Sequence, residues 1–144
     1  MKYLLPALFL FLGGCASTLS SPQYTNTSTV IAAAAETAPD GVAGEFILPI
    51  KASGVRRGQV FLNTQLDYRD QRSITVAIAP DVAAKLAEQH GQSPADFFIN
   101  KDVRVLGTAK RVRINLYCQG RLMDTYYYQT HIDVTTAAQI QLLN

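Results

Sequence analysis

Asp67 and Asp70 stand in the polar stretch Asn63-Thr64-Gln65-Leu66-Asp67-Tyr68-Arg69-Asp70-Gln71-Arg72. Paired carboxylates can act as acid and base in hydrolysis, or serve metal-assisted chemistry. No histidine and no third carboxylate accompany these two nearby, while Arg69 and Arg72 are at hand to pair with them. Turn formation and local ion pairing therefore explain the stretch most simply. Loops held by a rigid scaffold also contact ligands, so Asn63, Asp67, Tyr68, Arg69 and Asp70 form one candidate site. His131 has the type of a base or a ligand, and Cys118 that of a nucleophile. Alternation along 110–118 puts Cys118 on an apolar face, and alternation along 125–134 puts His131 on a polar one, so the two side chains should diverge. The chain shows no Gly-rich phosphate loop, serine elbow or zinc-ligand spacing. These readings point away from an enzyme and imply neither a cofactor nor a metal. An envelope hydrolase using the Asp67–Asp70 loop or His131 stands as the alternative.

Charge is unevenly distributed. Residues 101–121 hold Lys101, Arg104, Lys110, Arg111, Arg113 and Arg121 against Asp102 alone, whereas the whole chain is close to neutral at +2. A generally basic nucleic-acid binder is thereby not indicated, although a local patch is. Alternation places Arg111, Arg113 and Tyr117 of one strand with Tyr127, Gln129 and His131 of the next on one outward face. Basic and aromatic residues side by side make stacking platforms for oligonucleotides or acidic polysaccharides. The plainer reading is a solvated sheet face whose arginines pair with Asp102, Asp124 and Asp133.

The elements that must position these residues are short and mostly extended. Phe46–Ile50 and Gln59–Asn63 read as strands divided by a turn region at Gly54 and Gly58, with Pro49 marking an edge or a break. Ser73–Ile78 is β-branched and alternating, with Ile74, Val76 and Ile78 inward. A helix follows Pro80, burying Val82 and Leu86, and Gly91 ends it. Ser93-Pro94-Ala95-Asp96 signals a second short helix, followed by the core anchors Phe97, Phe98 and Ile99. Val103 and Val105 open a strand that Gly107 should bulge or bend. Beyond it, Val112, Ile114, Leu116 and Cys118 are expected inside. Gln119-Gly120 marks a hairpin turn, the even positions Tyr126 to Val134 suit the core, and Ile140 and Leu142 suggest a last strand.

The N-terminus has a different character. Met1-Lys2 is a short positive start, Tyr3–Leu12 is an apolar run too short to span a bilayer, and Gly13-Gly14-Cys15 follows. Leu12-Gly13-Gly14-Cys15 resembles the lipobox of bacterial lipoprotein precursors. The resemblance implies cleavage after residue 14, acylation of Cys15 by chains such as palmitate, and a membrane partner through that anchor. Ala16, where an aspartate would imply inner-membrane retention, implies the outer membrane facing the periplasm. Cys118 is then the sole cysteine of the mature chain, so no internal disulfide can form. Residues 16–44 are rich in serine, threonine and alanine without a sustained apolar period, and read as a flexible tether reaching roughly 30 Å. The expected domains are a signal at 1–14, the lipidated N-terminus and tether at 15–44, and one folded domain at 45–144.

The order from 56 to 143 is strand, polar loop, strand, helix, long bent strand, hairpin and closing strand. With Val60–Asp70, Ile74-Thr75-Val76 and Asp102–Ala109 as its most telling pieces, it resembles a small Greek-key barrel of the OB type, with the helix after the second strand. The fold class expected is mostly β with one or two short helices (α+β). Barrels of this type bind oligonucleotides and oligosaccharides. The function expected is a lipid-anchored periplasmic binding or assembly module, non-enzymatic, with an envelope protein or glycan as partner and nucleic acid less favoured.

Overall fold

A computed structural model of the chain describes residues 20–143. The expected leader, Cys15 and the first tether residues lie outside the described residues. The elements are β1 (Gln23–Tyr24), α1 (Thr27–Glu36), β2 (Val42–Pro49), β3 (Ala52–Arg56), β4 (Gln59–Asn63), β5 (Ile74–Ile78), α2 (Pro80–His90), α3 (Pro94–Phe97), β6 (Asp102–Cys118), β7 (Arg121–Val134), a 3-10 turn at Ala137–Gln139, and β8 (Ile140–Leu142).

The sheet runs β1-β2-β6-β7-β5-β4-β3, with β8 also paired to β6. β2 and β3 stand towards opposite ends of that path yet are consecutive in sequence, joined through Ile50 and Lys51. They are one strand bent after Pro49: Ile50 N still donates to Lys101 O, and Lys51 N then donates to Asn63 O of β4. Its first half pairs with β6 and its second half with β4, so the sheet curls round into a small barrel. β5 and β7 run parallel, and β2–β6, β3–β4, β4–β5 and β6–β7 are antiparallel. With β2 and β3 counted as one strand, α2 follows the third barrel strand. That is the usual place for the helix of an OB-type barrel, and it corrects the sequence expectation, which counted strands only from residue 56 and so left out the first. Gly54 lies inside β3, and the turn is at Arg57-Gly58 alone, both with positive φ.

The barrel interior is filled by Phe46, Leu48, Ile50, Leu62, Ile74, Val76, Ile78, Val103, Val105, Ile132 and Val134, all essentially without solvent contact. Burying each such side chain stabilises by about 1.5–3 kcal/mol. α2 starts at Pro80, buries Val82, Ala83 and Leu86, and ends on left-handed Gly91. α3 is capped by Ser93, whose Oγ accepts from Ala95 N, and Phe98 is buried beside it. Ile99, expected in the core, is exposed.

Two further expectations are corrected. The segment expected as a tether is structured from Gln23 onward. Asn26 Oδ1 accepts from Thr29 N and caps α1, the alanines favour the helix, and Val30 and Ala34, one turn apart, are buried in the core cluster. β1 pairs with β2 at Glu45 and Phe46, and at the preceding Gly44 a Cβ would stand 2.7 Å from Pro22 O. The second correction concerns the inward face of β6. Pairing with β2 runs unbroken from Pro49↔Asp102 to Val42↔Ala109, so Gly107 makes no bulge and the core face stays with Val103, Val105 and Ala109. Odd positions therefore continue that face. Val112 and Ile114 are half-buried on the opposite one, and Leu116 and Cys118 are exposed. The real irregularity lies further out, between Asn115 and Tyr117. On β7 the even positions Thr130, Ile132 and Val134 are buried as expected, but Tyr126 and Tyr128 are exposed. Here the β6–β7 hairpin has left the barrel: β5 pairs with β7 only from Thr130, and β2 with β6 only to Ala109.

Candidate functional site

On the face opposite the core, β3, β4, β5 and the root of β7 form a groove of about 460 Å³. That size is within the usual range for small-molecule sites. Because Leu62 and Val76 point inward, their neighbours Phe61, Asn63 and Thr75 point into the groove. Val55 and Arg56 of β3 line one side, and Ile114, Tyr127, Gln129 and His131 the other. Leu66 and Tyr68 of the 64–73 loop complete the wall.

Gln129 organises this wall. Its side chain is buried at 7 % exposure. Its Nε2 donates to Tyr68 O at 3.1 Å and to Tyr127 Oη at 2.9 Å, which uses both amide hydrogens. Its Oε1 faces His131 Nε2 at 2.7 Å. An amide oxygen only accepts, so His131 carries its proton on Nε2 and leaves Nδ1 as an acceptor. Burial lowers the His131 pKa, and Asp133 opposes the shift. The ring is therefore neutral at pH 7. Burial also raises the Tyr127 pKa, keeping the phenol protonated. Across the groove Thr75 Oγ1 donates to Asn63 Oδ1 at 2.8 Å, so the Asn63 amide is also fixed.

The loop carboxylates are committed elsewhere. Asp67 accepts from Arg69 N at 2.9 Å and pairs with its guanidinium at 3.1 and 3.2 Å. Asp70 repeats the arrangement with Arg72, at 2.9 Å from the backbone and 3.0 and 2.7 Å from the guanidinium. The arginine bonds lower both carboxyl pKa values, that of Asp70 to about 2. Both are carboxylates at neutral pH and neither can act there as a general acid. Among the described residues no cluster of three or more His, Cys, Asp or Glu could hold a metal ion. Cys118 and His131 do not meet: His131 stands opposite Lys110, eight positions down the ribbon from Cys118, or roughly 27 Å.

The structure thus divides the outward face expected from sequence. Tyr127, Gln129 and His131 line the groove. Arg111 and Arg113 lie on the other face of the ribbon, where their guanidiniums cover Tyr128 at 4.3 Å and Tyr126 at 3.9 Å. Tyr117 is at the tip, 66 % exposed. Of the polar loop, Asn63 and Tyr68 reach the groove, while Asp67, Arg69 and Asp70 serve the loop's own turns. Sequence reasoning missed Phe61, Thr75 and Ile114. The first two had a signal: they alternate with the inward Leu62, Ile74 and Val76.

No protein-family model matches the chain, and no curated protein is similar to it. Among solved structures, the chain is similar to a protein assigned as an aspartyl-tRNA synthetase from Leishmania major Friedlin. The identity is 14 %, the TM-score 0.46, and the match covers 89 % of this chain and 22 % of that one.

Proposed function

We propose that this chain is a non-enzymatic binding module of the bacterial cell envelope, and that the groove on β3, β4, β5 and β7 is its ligand site. The observation that carries this reading is the Gln129 network, which holds Tyr127, His131 and the 64–73 loop against one another around an open, largely apolar groove. Phe61, Tyr68 and Tyr127 offer aromatic surface, while Asn63 Nδ2 and His131 Nδ1, which the bonds above do not use, offer amide and imidazole groups. That combination suits a neutral ligand with a flat apolar face and hydroxyl or amide edges, such as a sugar of an envelope glycan. Sheet faces of OB-type barrels are used for such ligands. The hydrolase alternative finds less support, because both loop carboxylates are held ionised by arginine. Anchoring through lipid on Cys15, and an outer-membrane location facing the periplasm, remain part of the proposal on the strength of the lipobox pattern.

The experiment is a screen of neutral glycans, acidic glycans and single-stranded oligonucleotides against the chain and its Tyr127→Ala variant. The reading expects a neutral glycan to bind and the variant to lose it. Salt-sensitive binding of oligonucleotides alone, untouched by the variant, would count against it.

A further inference from the structure

Beyond the barrel, β6 and β7 continue as a two-stranded ribbon from Lys110 to Tyr128. Its turn, Gln119-Gly120, has φ of 50° and 76°, the positive pair that a tight two-residue hairpin requires. An isolated two-stranded ribbon is marginal in water, and this one is exposed on both faces. Leu116, Tyr117, Leu122, Met123, Tyr126 and Tyr128 are all large and solvent-facing.

The two edges of the ribbon differ. The root of the β7 edge is flanked by the 64–73 loop, tied there through Tyr68 O and Gln129 Nε2. The β6 edge is open once β2 has ended at Val42↔Ala109. Its backbone groups from Arg111 to Tyr117 are a template for another strand. The ribbon also carries Lys110, Arg111, Arg113 and Arg121 against Asp124 alone, and none of these four cations forms an ion pair among the described residues. Arg111 and Arg113 are held in place by stacking on tyrosine, leaving their N–H edges for an anion.

We propose that the open edge of β6 between Arg111 and Tyr117 docks an extended segment of a protein partner in which acidic and apolar side chains alternate. An added strand places its own side chains alternately beside Arg111 and Arg113 on one face, and beside Val112 and Ile114 on the other. The ribbon's tyrosines and arginines, with Met123, are of types enriched in protein interfaces. A second copy of the chain fits less well, since it would set cation against cation. A lipid surface fits less well too, since the open backbone edge would be left unpaired in hydrocarbon.

The test is NMR titration of the full chain with a synthetic peptide of four Glu-Val repeats. The expected result is binding with cross-strand backbone contacts between the peptide and residues 111–117. The double variant R111E/R113E should bind that peptide about tenfold more weakly and should gain binding to four Lys-Val repeats. Both positions are exposed, so the fold is retained, and a far-UV spectrum checks it. Absence of peptide binding would overturn the proposal, as would contacts confined to the groove or failure of the charge swap. Ribbon-dependent sedimentation with phosphatidylglycerol vesicles, or self-association through β6, in place of peptide binding would also overturn it. Glycan binding in the groove reads out separately, since Arg111 and Arg113 lie on the other face.

Discussion

Replacing Gln129 with leucine keeps the side chain's bulk and removes all its polar contacts. Three hydrogen bonds are lost: to Tyr68 O at 3.1 Å, to Tyr127 Oη at 2.9 Å and to His131 Nε2 at 2.7 Å. Each contributes a net ~0.5–1.5 kcal/mol. The Tyr68 carbonyl belongs to an exposed loop and regains water, while the Tyr127 and His131 groups are half-buried and do so only in part. The expected cost is therefore about 2 kcal/mol. With a urea slope of about 1–2 kcal/mol/M for a chain of this size, the denaturation midpoint falls by roughly 1–2 M. The loss also has an address. Gln129 is the side chain that ties the 64–73 loop to β7, so amide exchange should quicken between Asp67 and Ser73 while the strands β4 and β5 keep their protection. An unchanged midpoint with unchanged loop exchange would refute the claim that this amide organises the groove.

Other consequences are open to measurement. Ile132→Ala, in the barrel interior, should cost about 2–5 kcal/mol; Ile114→Ala, on the groove wall, should cost clearly less, and equal costs by chemical denaturation would place Ile114 in the core. The Cys118 thiol should react with a disulfide reagent as fast in the folded chain as in urea, because it stands exposed at the ribbon tip; strong protection would contradict that placement. Burial lowers the folded pKa of His131 below its ordinary 6.5, so the unfolded chain takes up the proton first. Stability should then fall as the pH drops below about 6.5, and His131→Gln should flatten that part of a pH–denaturation profile. Cys15→Ala should abolish fatty-acid labelling of the chain in cells, and continued labelling would defeat the lipid-anchor proposal.

Much of the barrel was legible because its inward residues alternate within short β-branched runs. Ile74-Thr75-Val76-Ala77-Ile78, the helix begun by Pro80 and ended by Gly91, and the helix capped by Ser93 carry their own boundaries. α1 was hidden by composition: serine, threonine and alanine resemble a tether, and only the Asn26 cap and the Val30–Ala34 spacing distinguish it. The ribbon misled for a different reason. Val112, Ile114, Leu116 and Cys118 alternate like core residues, but alternation reports that a strand has two faces, not that the barrel still lies beneath one of them. Gly107 made the error worse, since a bulge there would have reversed the phase. The groove was half legible. Tyr127, Gln129 and His131 share a parity in sequence, while their meeting with Phe61, Asn63 and Thr75 depends on β5 lying parallel to β7, a long-range pairing with no local signal.

The groove, and not another surface of the barrel, is proposed as the ligand site. Its most direct test is an isotope-labelled spectrum of the chain titrated with neutral mono- and disaccharides. A ligand in the groove should give saturable shifts gathered at Phe61, Asn63, Thr75, Tyr127, Gln129 and His131, lost in Tyr127→Ala. Shifts gathered instead in the shallow depression between α2 and β8, beside Lys85, Gln89 and Gln141, or no saturable shift from any sugar, would contradict the groove as the ligand site.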